Sequence, residues 1–283
     1  MSNENEVTAD EHDDFGGLHR DLSVVTRRRA LWLAGGALGA VALAACGVST
    51  KNSSSSTTLA PASSTTLANG SDVGATCTKI PSETAGPFPG DGSNGPDVLR
   101  ESGVVRRDIR SSFGPYSGTA NGVPLTMRFK LLNIANGCSP YAGAALYVWH
   151  CTADGGYSLY SNGVKNQNFL RGVGQADSDG WVEFVTAFPG CYSGRWPHVH
   201  FEVYPTLDKA TNVKNKIATS QLALPKDVCE KVYATSGYGQ SARNLSGTSL
   251  ANDMVFRDGW TSQLGTVTGN VNDGFVSQLN VAI

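Results

Sequence analysis

Leu125-Thr126-Met127-Arg128-Phe129-Lys130-Leu131 alternates apolar and polar side chains without a break. Successive side chains of a strand point to opposite faces, so Leu125, Met127, Phe129 and Leu131 share one face and Thr126, Arg128 and Lys130 the other. That is the period of a half-buried strand. Comparable runs occupy 144–149, 181–188, 198–204, 217–224, 265–269 and 275–283, the last with Phe275, Ser277, Leu279, Val281 and Ile283 on one face. Gly, Pro, Asn and Asp punctuate the intervals, and a helix is expected only over 226–235, opened by Pro225. The expectation is an all-β fold, a β-sandwich of mostly antiparallel strands. With 33 glycines in the chain, long loops at one end of the sandwich are expected to carry its chemistry.

Upstream of the strands the pattern changes twice. Residues 1–46 read as an export signal: Thr26-Arg27-Arg28-Arg29 leads into an uncharged, Gly/Ala-rich run that ends at Cys46. The paired arginines suggest twin-arginine export, and Leu43-Ala44-Ala45-Cys46 resembles a bacterial lipobox, whose cysteine is lipidated. A transmembrane helix is the alternative, but the run is shorter than the roughly 20 residues a bilayer needs. Residues 47–76, dominated by Ser, Thr, Ala and Gly, read as a disordered tether, which leaves 77–283 as the folded domain. The expected location is extracytoplasmic, either as a membrane-anchored lipoprotein or as a secreted protein. The net charge is −2, from 22 basic and 24 acidic residues, which gives no basis for nucleic-acid binding or an electrostatic membrane surface. Membrane contact is expected only through the N-terminal lipid, and the oligomeric state, a homo-oligomer included, stays open.

Beyond Cys46 lie Cys77, Cys138, Cys151, Cys191 and Cys229, an odd number that allows at most two bridges within one chain. Cys151 and Cys191 each stand close to a tyrosine and are candidates to hold two loops in place, with the connectivity open. A thiolate metal ligand is the competing use. It is disfavoured because no Cys-x-x-Cys pair is present and disulfides are the default in an oxidising compartment.

Tyr157, Tyr192, His198 and His200 are the candidate metal ligands. His198 and His200 are two apart, so on a strand both imidazoles leave the same face about 7 Å apart and can converge on one ion. Tyr157 ends the glycine-rich turn Ala153-Asp-Gly-Gly-Tyr157, and Tyr192 ends Phe188-Pro-Gly-Cys-Tyr192. A phenol titrates near ~10, so two ionised phenols near neutrality require a strong Lewis acid, and ferric iron fits better than zinc or magnesium.

In Trp149-His-Cys-Thr-Ala-Asp-Gly-Gly-Tyr157 and Phe188-Pro-Gly-Cys-Tyr-Ser-Gly-Arg-Trp-Pro-His-Val-His200 the chain resembles the intradiol ring-cleavage dioxygenases. The resemblance extends to Glu83-Thr-Ala-Gly-Pro-Phe-Pro89, Arg106-Arg-Asp-Ile109, Phe169-Leu-Arg-Gly172 and Asp179-Gly180, most of residues 77–225. It implies an Fe(3+) cofactor, a catechol-type substrate and O2, and cleavage between the two hydroxyls to a muconate-type dicarboxylate. By the same resemblance Tyr157 stays on the metal, Tyr192 leaves when substrate binds, and His198 and His200 complete the ligand set. Arg195 is implied to stabilise the carbanionic character of bound substrate, and Gln221, in Thr219-Ser-Gln-Leu222, to orient Arg195.

The chain departs from the family in places. The helical segment that precedes the domain in catechol 1,2-dioxygenases has no counterpart, and no group is assignable to recognise a substrate carboxylate, so the particular catechol stays open. Two readings of other classes compete with ring cleavage. One is a surface protein that binds catecholates or ferric chelates without turnover. The other is a copper or zinc hydrolase built on His198 and His200, which lacks a carboxylate or third histidine at a useful spacing.

Overall fold

A computed structural model describes residues 77–283. The export signal (1–46) and the tether (47–76) lie outside the described residues. Among the described residues, nine strands form two sheets. In the first, β1 (Pro124–Asn133) lies between β9 (Gly274–Ala282), which carries β8 (Thr266–Asn270) on its far side, and two shorter partners, β2 (Ser139–Pro140) and β5 (Trp181–Ala187). The β1–β9 pair is parallel; every other pair of strands is antiparallel. In the second sheet the order is β4 (Arg171–Gln175), β3 (Ala145–Trp149), β6 (His198–Tyr204), β7 (Ala218–Ala223).

The alternation along β1 decides how the sheets face each other. Leu125, Met127, Phe129 and Leu131 are buried while Thr126, Arg128 and Lys130 are half-buried, and they meet the apolar faces of β5 and β9 on one layer and of β3 and β6 on the other. Phe129 from the first sheet packs on Phe201 from the second with ring centroids 5.5 Å apart. Pro225 leads into α1 (Lys226–Tyr233), whose Val228, Cys229 and Val232 join this core. A second helix, α2 (Gly239–Ser246), was not expected from the sequence.

Cys77 and Cys138 form the one disulfide among the described residues; Cys151, Cys191 and Cys229 are buried free thiols. The bridge closes a loop of 61 residues in sequence separation, tying the start of the domain to the β1–β2 turn. Restricting the unfolded chain over such a loop is worth about 4 kcal/mol. Cys151 and Cys191, whose connectivity the sequence leaves open, are not bridged, and the loops beside them are joined by hydrogen bonds. Among the described residues no helix is long and apolar enough to cross a membrane.

Candidate metal centre

Strand β6 has no solvent face. Val199, Phe201 and Val203 enter the inter-sheet core, while His198, His200, Glu202 and Tyr204 leave the opposite face and are buried as well. A second cluster, with Val98, Leu99 and Val104 over Tyr147, Trp149 and Tyr204 and with Phe88 against it, covers that side. Register then fixes the neighbours of His200. Trp149 of β3 sits directly across from it and stacks on the imidazole, centroids 4.9 Å apart at 5°, while Gln221 of β7 stands across from it on the other side.

The two phenols arrive on adjoining loops. Tyr157 closes a turn in which Gly156 N–H donates to Thr152 Oγ1 at 2.9 Å and Thr152 N–H to Gly156 O at 2.7 Å. Gly155, at φ 98°, adopts a conformation that favours glycine, and a side chain there would press on Tyr192. The second loop packs against the first at Gly190, whose N–H donates to Thr152 O at 3.0 Å and where an added Cβ would meet Ala153 O at 2.5 Å. Ser241 of α2 ties the loops together: its Oγ accepts from Cys191 N–H at 2.8 Å and donates to Ala153 O at 2.7 Å.

The donor atoms converge. His198 Nε2 lies 3.0 Å from His200 Nε2, 3.2 Å from Tyr192 Oη and 3.5 Å from Tyr157 Oη. His198 Nδ1 is 2.5 Å from the Trp196 carbonyl, an acceptor, so the ring proton belongs on Nδ1 and the lone pair of Nε2 faces the cluster. Burial, then the Arg195 charge, holds His198 well below the usual imidazole range; burial, then His198 and Arg195, does the same for His200. Both rings are therefore neutral bases. Burial first, and Tyr192 second, pushes the Tyr157 phenol well above its usual range. Burial leaves the Tyr157 phenol protonated, and a strongly acidic cation is the kind of neighbour that would ionise it. The donor set thus fits ferric iron. Among the described residues no group of three or more His, Cys, Asp or Glu side chains is arranged to hold a metal, and the arrangement here is of two imidazoles with two phenols.

Arg195 borders the cluster, 1 % exposed. Its Nη2 donates to Gln221 Oε1 at 2.6 Å and its Nη1 to Tyr192 Oη at 3.4 Å. Gln221 Nε2 in turn donates to Thr84 O at 3.0 Å. All six candidate residues, Tyr157, Tyr192, Arg195, His198, His200 and Gln221, are thus brought into one constellation. Sequence reasoning missed Asp253, whose Oδ2 accepts from Arg195 Nε at 3.0 Å, and it missed the Ser241 clamp. Phe88, in the Glu83–Pro89 segment, packs on Tyr157 with ring centroids 5.0 Å apart.

No family model matches the chain. A stretch of 54 residues, 19 % of the chain, is 41 % identical to chlorocatechol 1,2-dioxygenase of Rhodococcus opacus and spans 21 % of that protein's length. Among solved structures, the intradiol ring-cleavage dioxygenase of Tetranychus urticae superposes with a TM-score of 0.53 at 24 % identity, over 65 % of this chain and 88 % of that one. The two-sheet architecture that carries the Tyr/Tyr/His/His constellation is therefore the fold of an intradiol ring-cleavage dioxygenase.

Proposed function

We propose that this chain is an exported intradiol ring-cleavage dioxygenase that binds ferric iron through Tyr157, Tyr192, His198 and His200. It would open a catechol-type ring between its hydroxyls with O2 to give a muconate-type dicarboxylate. The observation that carries the proposal is the convergence of two phenol oxygens on a buried pair of imidazole nitrogens, with a guanidinium at the edge. Ferric iron held by these four residues would supply the Lewis acidity that ionises phenols and catechols.

The chain's own residues divide the remaining work. Burial holds His198 and His200 well below the usual imidazole range, which favours the neutral rings that can offer lone pairs. Tyr157, 1 % exposed and walled by Phe88, is the phenol built to stay. Tyr192 is only partly buried and is followed by exposed Ser193 and Gly194, so its Oη is the atom placed to yield and to take up a substrate proton. Arg195 cannot lose its own proton and keeps a fixed positive charge beside that oxygen, where negative charge on the substrate would build. The packed loops and Trp149 exclude water from the imidazole side.

Aerobically purified protein should hold about one iron per chain and show a visible phenolate-to-metal charge-transfer band. Oxygen uptake with catechol, hydroxyquinol and protocatechuate would then report turnover. Colourless protein that takes up no ferric iron would sink the proposal. Iron-loaded protein that binds catechols without consuming oxygen would make it a binding protein instead. Export through residues 1–46 is part of the same proposal, and the mass of the mature N-terminus tests it.

A further inference from the structure

We infer that Asp253 is the positioning residue for Arg195, and that the arginine acts only while this carboxylate holds its plane. Both side chains are buried, Asp253 at 0 % and Arg195 at 1 % exposure. Asp253 Oδ2 accepts from Arg195 Nε at 3.0 Å and from Trp196 N–H at 2.6 Å. Its Oδ1 accepts from Val255 N–H at 2.8 Å and Phe256 N–H at 3.1 Å. Every one of these contacts is a donor aimed at a carboxylate oxygen, the pattern an acceptor-only group completes. An amide in its place would turn N–H against N–H.

The consequence for Arg195 is geometric. Nε and Nη2 share one edge of the guanidinium plane, and that edge is held at two points, by Asp253 from the loop after α2 and by Gln221 from β7. Fixing two points of a rigid planar group fixes the third, and Nη1 is thereby directed at Tyr192 Oη. Gln221 alone would leave the plane free to pivot about one contact. The same carboxylate also orders the turn that sets Phe256 against His198, ring centroids 6.5 Å apart. One anion therefore serves both the charge beside the phenol and a wall of the imidazole pair, and it compensates a cation that burial would otherwise expel or disorder.

The catalytic half of this inference rests on the ring-cleavage reading; the positional half does not, and the experiment separates them. Asp253→Ser keeps an oxygen able to cap Val255 and Phe256 but removes the one that holds Arg195. In the full-length protein the Arg195 Nε–H resonance, observed by NMR, should be protected from exchange in the wild type and lose that protection in Asp253→Ser. With catechol as the probe substrate, kcat should fall roughly 10–100-fold in Asp253→Ser with iron content retained. In the Arg195→Ala background the same substitution should change kcat by no more than about twofold, because its effect runs through the arginine. An undiminished drop in that background would overturn the inference, as would a wild-type Nε–H that exchanges freely. Should Asp253→Ser fail to fold, Asp253→Glu, which keeps the charge but displaces the fork, carries the same cycle. If the wild type turns over no catechol, ring cleavage fails while the resonance still decides whether Asp253 holds Arg195.

Discussion

The turns that deliver Tyr157 and Tyr192 present the same phenol to the same point and are built in opposite ways. Around Tyr157 the backbone is bound on both sides: its N–H donates to Ser161 Oγ at 2.9 Å, and its carbonyl accepts from Ser161 N–H at 2.9 Å and Tyr160 N–H at 3.2 Å. The ring is buried under Phe88. Tyr192 is followed by exposed Ser193 and by exposed Gly194 at φ 79°, and its carbonyl makes a longer bond, 3.3 Å, from Arg195 N–H. Behind it, Cys191 is locked to α2 through Ser241 and Asn244. The second loop is thus rigid up to residue 191 and open just beyond it. If both phenols bind iron as proposed, their chemistry is the same, and the difference in backbone bracing is what would let one stay and the other yield.

The largest effect that would break this comparison is on metal retention. Tyr157→Phe should weaken ferric binding by more than roughly 100-fold, above what losing a supporting residue costs, because no other group can move into that walled position. Tyr192→Phe should keep most of its iron, with a shifted and weaker charge-transfer band, since its place is one that solvent can reach. Iron content by metal analysis after dialysis against a chelator reads both. Equal loss in the two variants would remove the distinction between a fixed and a yielding phenol.

How much of this was legible in the sequence follows from where each interaction is encoded. The β1 alternation and the His198-Val199-His200 spacing are local patterns with one structural solution, so the sandwich and the two imidazoles could be read directly. Strand β4 could not, because Gly172 and Gly174 stand where apolar residues would mark it. Side chains there would come within 2.5 Å of Ile109 Cγ2 and 2.6 Å of Val182 Cγ1, so the neighbours fill the space instead. In α2 only Ser241 and Leu245 are buried, too few to give a helical period. Asp253 pairs with an arginine 58 residues away, and no local pattern announces such a partner. The free thiols teach a related point: spacing placed Cys151 and Cys191 near the ligand loops, but whether near neighbours bond depends on geometry that spacing does not carry.

A smaller effect tests the bracing of the fixed loop. Thr152→Val keeps the shape and removes the hydroxyl that Gly156 N–H donates to and that itself donates to Asp154. Leaving that amide without its acceptor should cost about 1–3 kcal/mol of stability, seen as a lower urea midpoint. Ser193→Ala in the exposed part of the other loop should stay within about 0.5 kcal/mol. A similar cost at both positions would mean that the two loops are equally braced.

The smallest effect tests whether the loop that carries Tyr192 is the one that moves. Cys151 lies at the base of the Tyr157 turn and Cys191 next to Tyr192, both 1 % exposed. Burial raises both thiols, Cys191 to about 12, so at neutral pH a disulfide reagent reaches either one only when its surroundings open. If catechol displaces Tyr192, the strain is taken up between Cys191 and Arg195, where Cys191 Sγ now contacts Arg195 O at 3.4 Å. Opening made easier by about 1 kcal/mol would speed modification of Cys191 roughly fivefold on adding catechol under anaerobic conditions. Cys151, whose Sγ lies 3.5 Å from Gly190 O behind the locked part of the loop, should show no change. Peptide mass mapping of the modified protein separates the two thiols. Faster modification of Cys151, or of neither, would place the movement somewhere other than the turn after residue 191.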